Sequence, residues 1–400
     1  MLNCKLMNYI LFDDGRRFDL LPLTFLRPVA DIRVGILTIR EKWEHFLHTK
    51  TSSLTEDYLS KKFPIVEEIN NILINGCVIP DEDLVKLIKE LEPGQALVDG
   101  ECIIAQHITE EELTLTQKSK QVDFIELAID IPYKKVCFPW EIFQMNDEEI
   151  RADYALLTKG RKSAAISATN RIAGNDIFLE EGAIVEFATI NTTTGPVYIG
   201  KSTEIMEGSM IRGPFAMLDN SLVRMGTKIY GATTIGPNSK VGGELSNVVI
   251  FANSNKVHDG FLGNSVIAEW CNLGAGTSCS NLKNTYDLVK VWNYSDQTFM
   301  STGLQFCGLI MGDHSKSGIN TMFNTGTVVG VSANVFGGGF PRQFIASFSW
   351  GGAAGFKTFD LKKAIAVAKA AYSRRNRELD EETVEILREV FNYTWAFRQL

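Results

Sequence analysis

The chain has 400 residues, 45% of them hydrophobic and 22% charged, with a formal net charge of -8. That length calls for two or three cores rather than one, and the acidic, mixed composition excludes a fibre, a disordered tail and a generic nucleic-acid binder. No run approaches the roughly 18 consecutive apolar residues of a membrane-spanning helix. The apolar N-terminal stretch meets Asp13, Asp14, Arg16 and Arg17 too early for a signal peptide, so a cytoplasmic chain with no membrane or nucleic-acid partner is expected.

Glycine is unevenly placed. Of the 33, six lie in residues 1–160, 27 in 161–357 and none in 358–400, which marks three regions with different backbone demands. The seven cysteines (Cys4, Cys77, Cys102, Cys137, Cys271, Cys279, Cys307) are scattered, with no Cys-x-x-Cys, and reduced thiols are expected. None of the five histidines pairs with another at a zinc-binding spacing.

In the first region, residues 8–12 form a short apolar run ending at Asp13-Asp14-Gly15, which reads as a buried strand feeding a turn. A second strand is read at 71–76, followed by Pro80-Asp81 and by Leu84, Val85, Leu87, Ile88 and Leu91 at helical spacing. Strands at 96–98 and 102–105 and a closing helix over 147–157 complete an α/β domain over 1–160.

The second region repeats. Steps of six from Ile199 land on Ile205, Ile211, Met217, Val223, Ile229, Ile235 and Val241, a run of aliphatic residues expected by chance roughly once in several thousand trials. Four residues after each of the first seven come Thr203, Ser209, Phe215, Ser221, Thr227, Thr233 and Ser239, all but Phe215 small. The same step fits Ile166, Ile172, Phe178, Ile184 and Ile190 upstream, then Phe261, Ile267, Leu273 and Cys279, and finally Phe323, Val329 and Val335. A period of six fits neither a helix nor a lone strand. It fits a coil of short flat strands with one aliphatic residue per face turned inward: a hexapeptide-repeat parallel β-helix over 161–357. The tail, 358–400, opens with a cap at Thr358 and carries two helices, the second with a stripe of Val384, Ile386, Leu387, Val390 and Phe391.

The hexad rhythm breaks around Val241-Gly-Gly-Glu244, Lys256-Val-His258-Asp-Gly-Phe-Leu-Gly263, Leu273-Gly-Ala-Gly-Thr277 and Ser280-Asn281. Loops with a histidine and polar neighbours in such a coil point to a substrate site. These residues resemble the acetyltransferase half of the bifunctional glucosamine-1-phosphate N-acetyltransferase / UDP-N-acetylglucosamine pyrophosphorylase (GlmU-type) family. The likeness runs over about 199–335, most specifically over 241–281. It implies a left-handed helix, a homotrimer with sites between neighbouring coils, and acetyl-CoA as co-substrate. It makes His258, ahead of Phe261-Leu262-Gly263, the general base, and gives Gly274, Ala275, Gly276 and Asn281 a place around the thioester. A histidine, with an ordinary pKa of about 6.5, suits removal of a proton from an ammonium at neutral pH. A backbone N–H at Gly274, Ala275 or Gly276 would meet the developing oxyanion. Asn281 would orient the amine or the sugar, Glu244 would bind sugar hydroxyls, and Lys256 or Arg224 the sugar phosphate. The loop from Leu282 to Phe306, with Trp292 and Tyr294, is read either as a cover for the pantetheine arm or as a structural insertion.

The run Asp13-Asp14-Gly15-Arg16-Arg17, with Pro22-Leu-Thr24 and Arg27-Pro28, resembles the opening of sugar nucleotidyltransferases, whose glycine-rich loop cradles a triphosphate. This likeness implies Gly15, Arg17, Arg27, Arg33 and Lys42 as nucleotide-binding residues, with Mg2+ and UTP if the domain is active. Cys77 stands where that family carries a metal-binding aspartate, leaving Asp99 or Asp13 to hold the ion. The expected activity is acetyl transfer to an amino-sugar 1-phosphate, coupled or not to formation of a UDP-sugar. Nucleotidyl transfer alone, or a non-catalytic sugar-nucleotide scaffold, are the alternatives. A scaffold would be stabilised by neither acetyl-CoA nor UDP-N-acetylglucosamine.

Overall fold

The structure, a computed structural model, describes residues 7–117 and 122–399; Cys4 lies outside them. The chain packs as two units. The first comprises residues through Leu20, Arg27–Ile32 and Leu37–Cys137; the second comprises Leu21–Leu26, Arg33–Ile36 and everything from Phe138 on.

In the first unit the apolar runs become a six-stranded sheet, ordered Ser52–Leu54, Asn8–Phe12, Asn70–Asn75, Cys102–Thr109, Gln95–Asp99, Ile125–Ala128. Asn8–Phe12 pairs in parallel with both of its neighbours, and Cys102–Thr109 turns antiparallel. The carboxyl ends of Asn8–Phe12 and Asn70–Asn75 therefore lie side by side, the usual ligand edge of such sheets. Helix Glu82–Lys89 starts where Asp81 accepts the Leu84 N–H, and it buries Leu84, Val85 and Ile88, as its spacing predicts.

The second unit is a parallel β-helix of about 10 turns. Register partners stand 18 residues apart, Ile199 on Met217 and Met217 on Ile235, so three hexads make one coil. The predicted inward column from Ile199 to Val241 is buried throughout, and the column from Thr203 to Ser239 beside it is buried too. Three readings at the edges of the repeat are corrected. Phe178 turns outward to pack with Ile36, Ile150 and Tyr198, and Leu179 takes the inward place. Ile184 is exposed while Val185 is buried. Phe261 sits in register with Glu244 on the outer surface, and Leu262 points in. Each is a frame error of one residue, which in a strand swaps the faces.

Helix Pro139–Thr158, read as closing the first domain, packs in this second unit. Asn146 accepts the Gly35 N–H at 2.9 Å and donates to the Ala232 carbonyl at 2.9 Å, and Asp153 accepts the Ile36 N–H at 2.8 Å. At the far end a hairpin, Ser349–Gly352 with Gly355–Thr358, closes the stack. The two tail helices, Leu361–Ser373 and Glu381–Tyr393, are capped by Asp360 and Asp380; Thr358 belongs to the hairpin. Trp292 and Tyr294, which one reading gave to a cover over a ligand, pack inward. Trp292 stacks on Phe344 at 4.3 Å, and Tyr294 meets Phe25 and Phe397. Among the described residues no helix is long and apolar enough to cross a membrane.

Ile235→Ala should cost about 2–5 kcal/mol in denaturant unfolding because it opens a cavity in the inner column. Ile184→Ala, on the exposed surface, should cost under about 0.5 kcal/mol; equal losses would contradict the inward and outward assignment.

Candidate active site

The irregular segment is a shortened coil. Ile235 pairs with Ile250, 15 residues on instead of 18. The missing residues are those of a corner, so the seven-residue strand Glu244–Ile250 runs on to pair with both Lys228–Tyr230 and Thr233–Ile235. Phe261–Ile267 repeats this course one coil later. His258 lies on the tight corner between Asn255–Lys256 and Phe261–Ile267.

That corner is held from three sides. The Asp259 carbonyl accepts the Gly276 N–H at 3.0 Å, and the Gly260 carbonyl accepts the Glu244 N–H at 3.2 Å. Gly243, at φ 78, leaves room below, since a Cβ there would come within 2.9 Å of the His258 oxygen. The third fastening is Lys256. Its ammonium is buried and donates to the carbonyls of Gly242, at 3.0 Å, and His258, at 2.8 Å. Lys256 was expected to meet a sugar phosphate, and the structure instead commits it to the backbone. Burial pushes its pKa down to about 8.

The His258 imidazole is exposed and makes no hydrogen bond among the described residues. It opens on a cavity of about 530 Å³ shared with Arg224, Met225, Asp259, Ala275 and Ile319. The Arg224 guanidinium likewise has no ion pair or hydrogen bond among the described residues. The three candidate oxyanion donors are not equivalent. The Gly274 N–H bonds to the Ser317 carbonyl and the Gly276 N–H to Asp259, while the Ala275 N–H is unengaged among the described residues. The cavity thus brings together a base, a cation and a lining residue, Ala275, whose N–H is unengaged among the described residues.

Asn281 and Glu244 do not line this cavity. Asn281 donates to the Asn264 amide oxygen at 2.8 Å, and Glu244 accepts the Tyr230 hydroxyl at 2.6 Å. That carboxylate raises the Tyr230 pKa to about 12. Met225 and Ile319 were not singled out from sequence, although they are 67% and 72% exposed at the cavity rim.

In the first unit the predicted phosphate cradle is closed. Gly15 is exposed, but it opens a 3-10 turn, Gly15–Phe18, in which the Arg16 N–H is taken by the Asp14 carboxylate and the Arg17 N–H by the Asp14 carbonyl. Arg17 is buried, paired with buried Asp13 at 2.9 Å, and donates to the Arg27 carbonyl and the Tyr58 hydroxyl. Arg27 and Lys42 are buried with interactions of their own, and Arg33, in the second unit, is buried on the Ile36 carbonyl. These four cations serve packing because a charge removed from water needs a fixed partner.

The groups that do face the sheet's carboxyl edge are others. Arg16 bonds to Asp14 at 3.0 Å and to the Cys102 sulfur at 3.0 Å, and Asn75 donates to Asp14 at 2.8 Å. Asp99 accepts from Tyr133 at 2.6 Å and lies 3.4 Å from Lys135; the Tyr133 hydrogen bond holds its carboxyl below the usual range. Cys77 hydrogen-bonds with Cys137, and that bond, with burial, pushes its thiol up. The six described cysteines are all free. This donor set does not fit Mg2+. Asp99 and Asp13 are each committed elsewhere, a protonated thiol suits a hard cation poorly, and among the described residues no three metal-binding side chains gather.

An α/β sheet unit joined to a hexapeptide-repeat β-helix with an open histidine on a shortened coil is a two-part transferase architecture, and known proteins share both parts. Residues 9–162 match the family described as sugar nucleotidyl transferase. Over 146 residues the chain is 32% identical to a bifunctional sugar-1-phosphate nucleotidylyltransferase/acetyltransferase of Sulfurisphaera tokodaii, a match covering 36% of each chain. It is 28% identical over 297 residues to the bifunctional protein GlmU of Methanocaldococcus jannaschii, covering 69% of this chain and 65% of that one. It is 29% identical over 148 residues to the putative uncharacterized acetyltransferase YaiX of Escherichia coli, covering 36% and 64%. Each match spans less than two thirds of the relative's length. Over these stretches the chain is similar in sequence to bifunctional nucleotidylyltransferase/acetyltransferase proteins, GlmU among them.

Arg17→Ala should destabilise the protein by about 3–5 kcal/mol, since it strands a buried Asp13 carboxylate; a loss of nucleotide binding with unchanged unfolding would contradict the packing role. For Lys256, between pH 8 and its ordinary 10.5 the unfolded chain holds the proton and the folded one does not, so stability rises with pH across that window. The melting temperature of the wild type minus that of Lys256→Met should therefore rise from pH 8 to 10.5; parallel curves would contradict the burial effect.

Proposed function

We propose that the second unit transfers an acetyl group from acetyl-CoA to the amine of an amino-sugar 1-phosphate, with His258 as general base. The observation that carries this reading is the unpaired His258 imidazole sharing a cavity with Arg224 and the open Ala275 N–H. In this reading His258 takes a proton from the ammonium and releases it to solvent, the free amine attacks the thioester carbonyl, and His258 takes the second proton from the nitrogen as that bond forms. The tetrahedral oxyanion is met by Ala275 N–H, and the imidazolium returns the proton to the departing thiolate as the amide forms. Arg224 binds the acceptor's phosphate as a charge-assisted pair. Lys256 holds the His258 carbonyl in place.

Glu244 and Asn281 are assigned to the sugar and the amine. Both stand off the cavity of their own chain, and the rim residues Met225 and Ile319 are exposed apolar side chains. Those two facts support a homotrimer in which a second copy covers the rim and supplies the remaining contacts. The free cysteines suit a cytoplasmic setting.

For the first unit, the family match over 9–162 supports nucleotidyl transfer from UTP to a sugar 1-phosphate. Its committed cations and a donor set that does not fit Mg2+ favour a non-catalytic part in the protein. Pyrophosphate release from UTP and a sugar 1-phosphate decides between the two.

His258→Ala should lower kcat for acetyl transfer to glucosamine 1-phosphate by about 10²–10⁴-fold with an unchanged melting temperature. Retained turnover would remove His258 from the chemistry.

A further inference from the structure

A second chamber, also of about 530 Å³, lies between the outer face of the β-helix and helix Leu361–Ser373. Its floor is a register ladder in which Lys240 pairs with Asn255, Asn255 with Asn272 and Asn272 with Lys316. Its roof carries Arg374 and Arg375 at the end of the helix. Four cations line it, and none of the described residues lining it is acidic.

The cations divide by what they do. Arg375 clamps the helix to the coil through the carbonyls of Asn238 and Asn253 and the Asn255 amide oxygen. Lys316 donates to the His314 carbonyl at 2.9 Å. Burial lowers the pKa of both, and Arg377 and Arg374 lower that of Arg375 further. Lys240 and Arg374 are exposed, and neither side chain has a hydrogen bond or ion pair among the described residues. Cations at a helix C-terminus offset the helix dipole, but this covers only the two arginines. Lys240 and Lys316 sit on the coil.

Two further features mark the chamber as a ligand site. Asn253 is 5% exposed in its wall, and its amide oxygen has no hydrogen-bond partner. Buried polar atoms are normally satisfied, and this orphan acceptor calls for a donor, a water or a hydroxyl or amino group of a ligand rather than its phosphate. Trp270, stacked on Tyr372 with ring centroids 3.8 Å apart, forms a rigid side.

We propose that this chamber is a binding site for a ligand bearing phosphate groups, held by Lys240 of the floor and Arg374 of the roof, with Lys316 and Arg375 beside them. Val257 lines both this chamber and the His258 cavity. A phosphate here has two chemical sources: the nucleotide end of a coenzyme A thioester, whose acyl end would lie past Val257, or a nucleoside diphosphate. The site itself does not depend on the acetyl-transfer reading.

Isothermal titration of the full chain with coenzyme A, dephospho-coenzyme A, UDP and inorganic pyrophosphate tests it. Lys240→Gln/Arg374→Gln removes the two exposed cations and should leave the melting temperature unchanged. At least one probe should bind the wild type and bind this variant at least about tenfold more weakly, with an affinity that falls as salt rises. Coenzyme A weakened, with dephospho-coenzyme A already weaker on the wild type, assigns the thioester's nucleotide end. UDP or pyrophosphate weakened in the same way assigns a diphosphate. No binding by the wild type, or binding the double variant leaves intact, overturns the proposal. His258→Ala should keep the binding, so failure of the catalytic reading is read separately.

Discussion

The second unit depends on one constraint, that every coil must lay its strands on those of the coil before it. A strand of two or three residues has no stability of its own and gains it only through its ladder partners and through the aliphatic side chain it adds to a shared interior. The step between coils is then set by the length of three flat faces and three corners. An inward side chain that loses its place exposes itself and disturbs the rungs on either side, because stability in such a stack is passed between nearest neighbours.

The candidate site arises where that constraint is met in a different way. Dropping three residues removes one corner, and the strand continues straight across two faces. The rungs stay paired, yet the next corner is forced into close backbone contact with the coils above and below. That crowding requires Gly243 and Gly260 and leaves the His258 side chain nowhere to pack except outward. An exposed polar group that the protein does not solvate with its own atoms is what a substrate site needs. Lys256, threaded underneath, ties the Gly242 and His258 carbonyls to one ammonium. A buried ammonium is a costly fastener, which points to a demand on the geometry of the His258 corner rather than on stability.

Much of this was legible in the residues. The column from Ile199 to Val241 fixes period, face and direction because an uninterrupted repeat leaves one frame. Where the repeat is short, as at Phe178 and Ile184, two adjacent apolar residues compete for the inward place, and tertiary partners such as Ile36 decide. Phe261 was misplaced for a related reason: a straightened strand shifts the frame without leaving a mark in the local sequence. The first unit shows the harder limit. Asp13, Arg17, Arg27 and Lys42 carry charge, and charge reads as surface or ligand. Nothing in their spacing distinguishes a buried pair such as Asp13 and Arg17 from an exposed cation. The polar groups at the edge, Arg16, Asp99 and Lys135, come from distant segments that only the sheet brings together.

The segments 21–26 and 33–36, which belong with the β-helix although they are encoded among the strands of the first unit, bear on how such a chain can evolve. A β-helix cut out from Phe138 onward would lack Ile36 beside Ile150 and the backbone groups that Asn146 and Asp153 hold. It would also lack Phe25 against Tyr294 and Tyr393. The two halves are therefore not interchangeable cassettes. A first half that lost its original chemistry could not simply be deleted, since its chain would still be needed as a structural part of the second, and selection would retain a domain whose reaction had already lapsed.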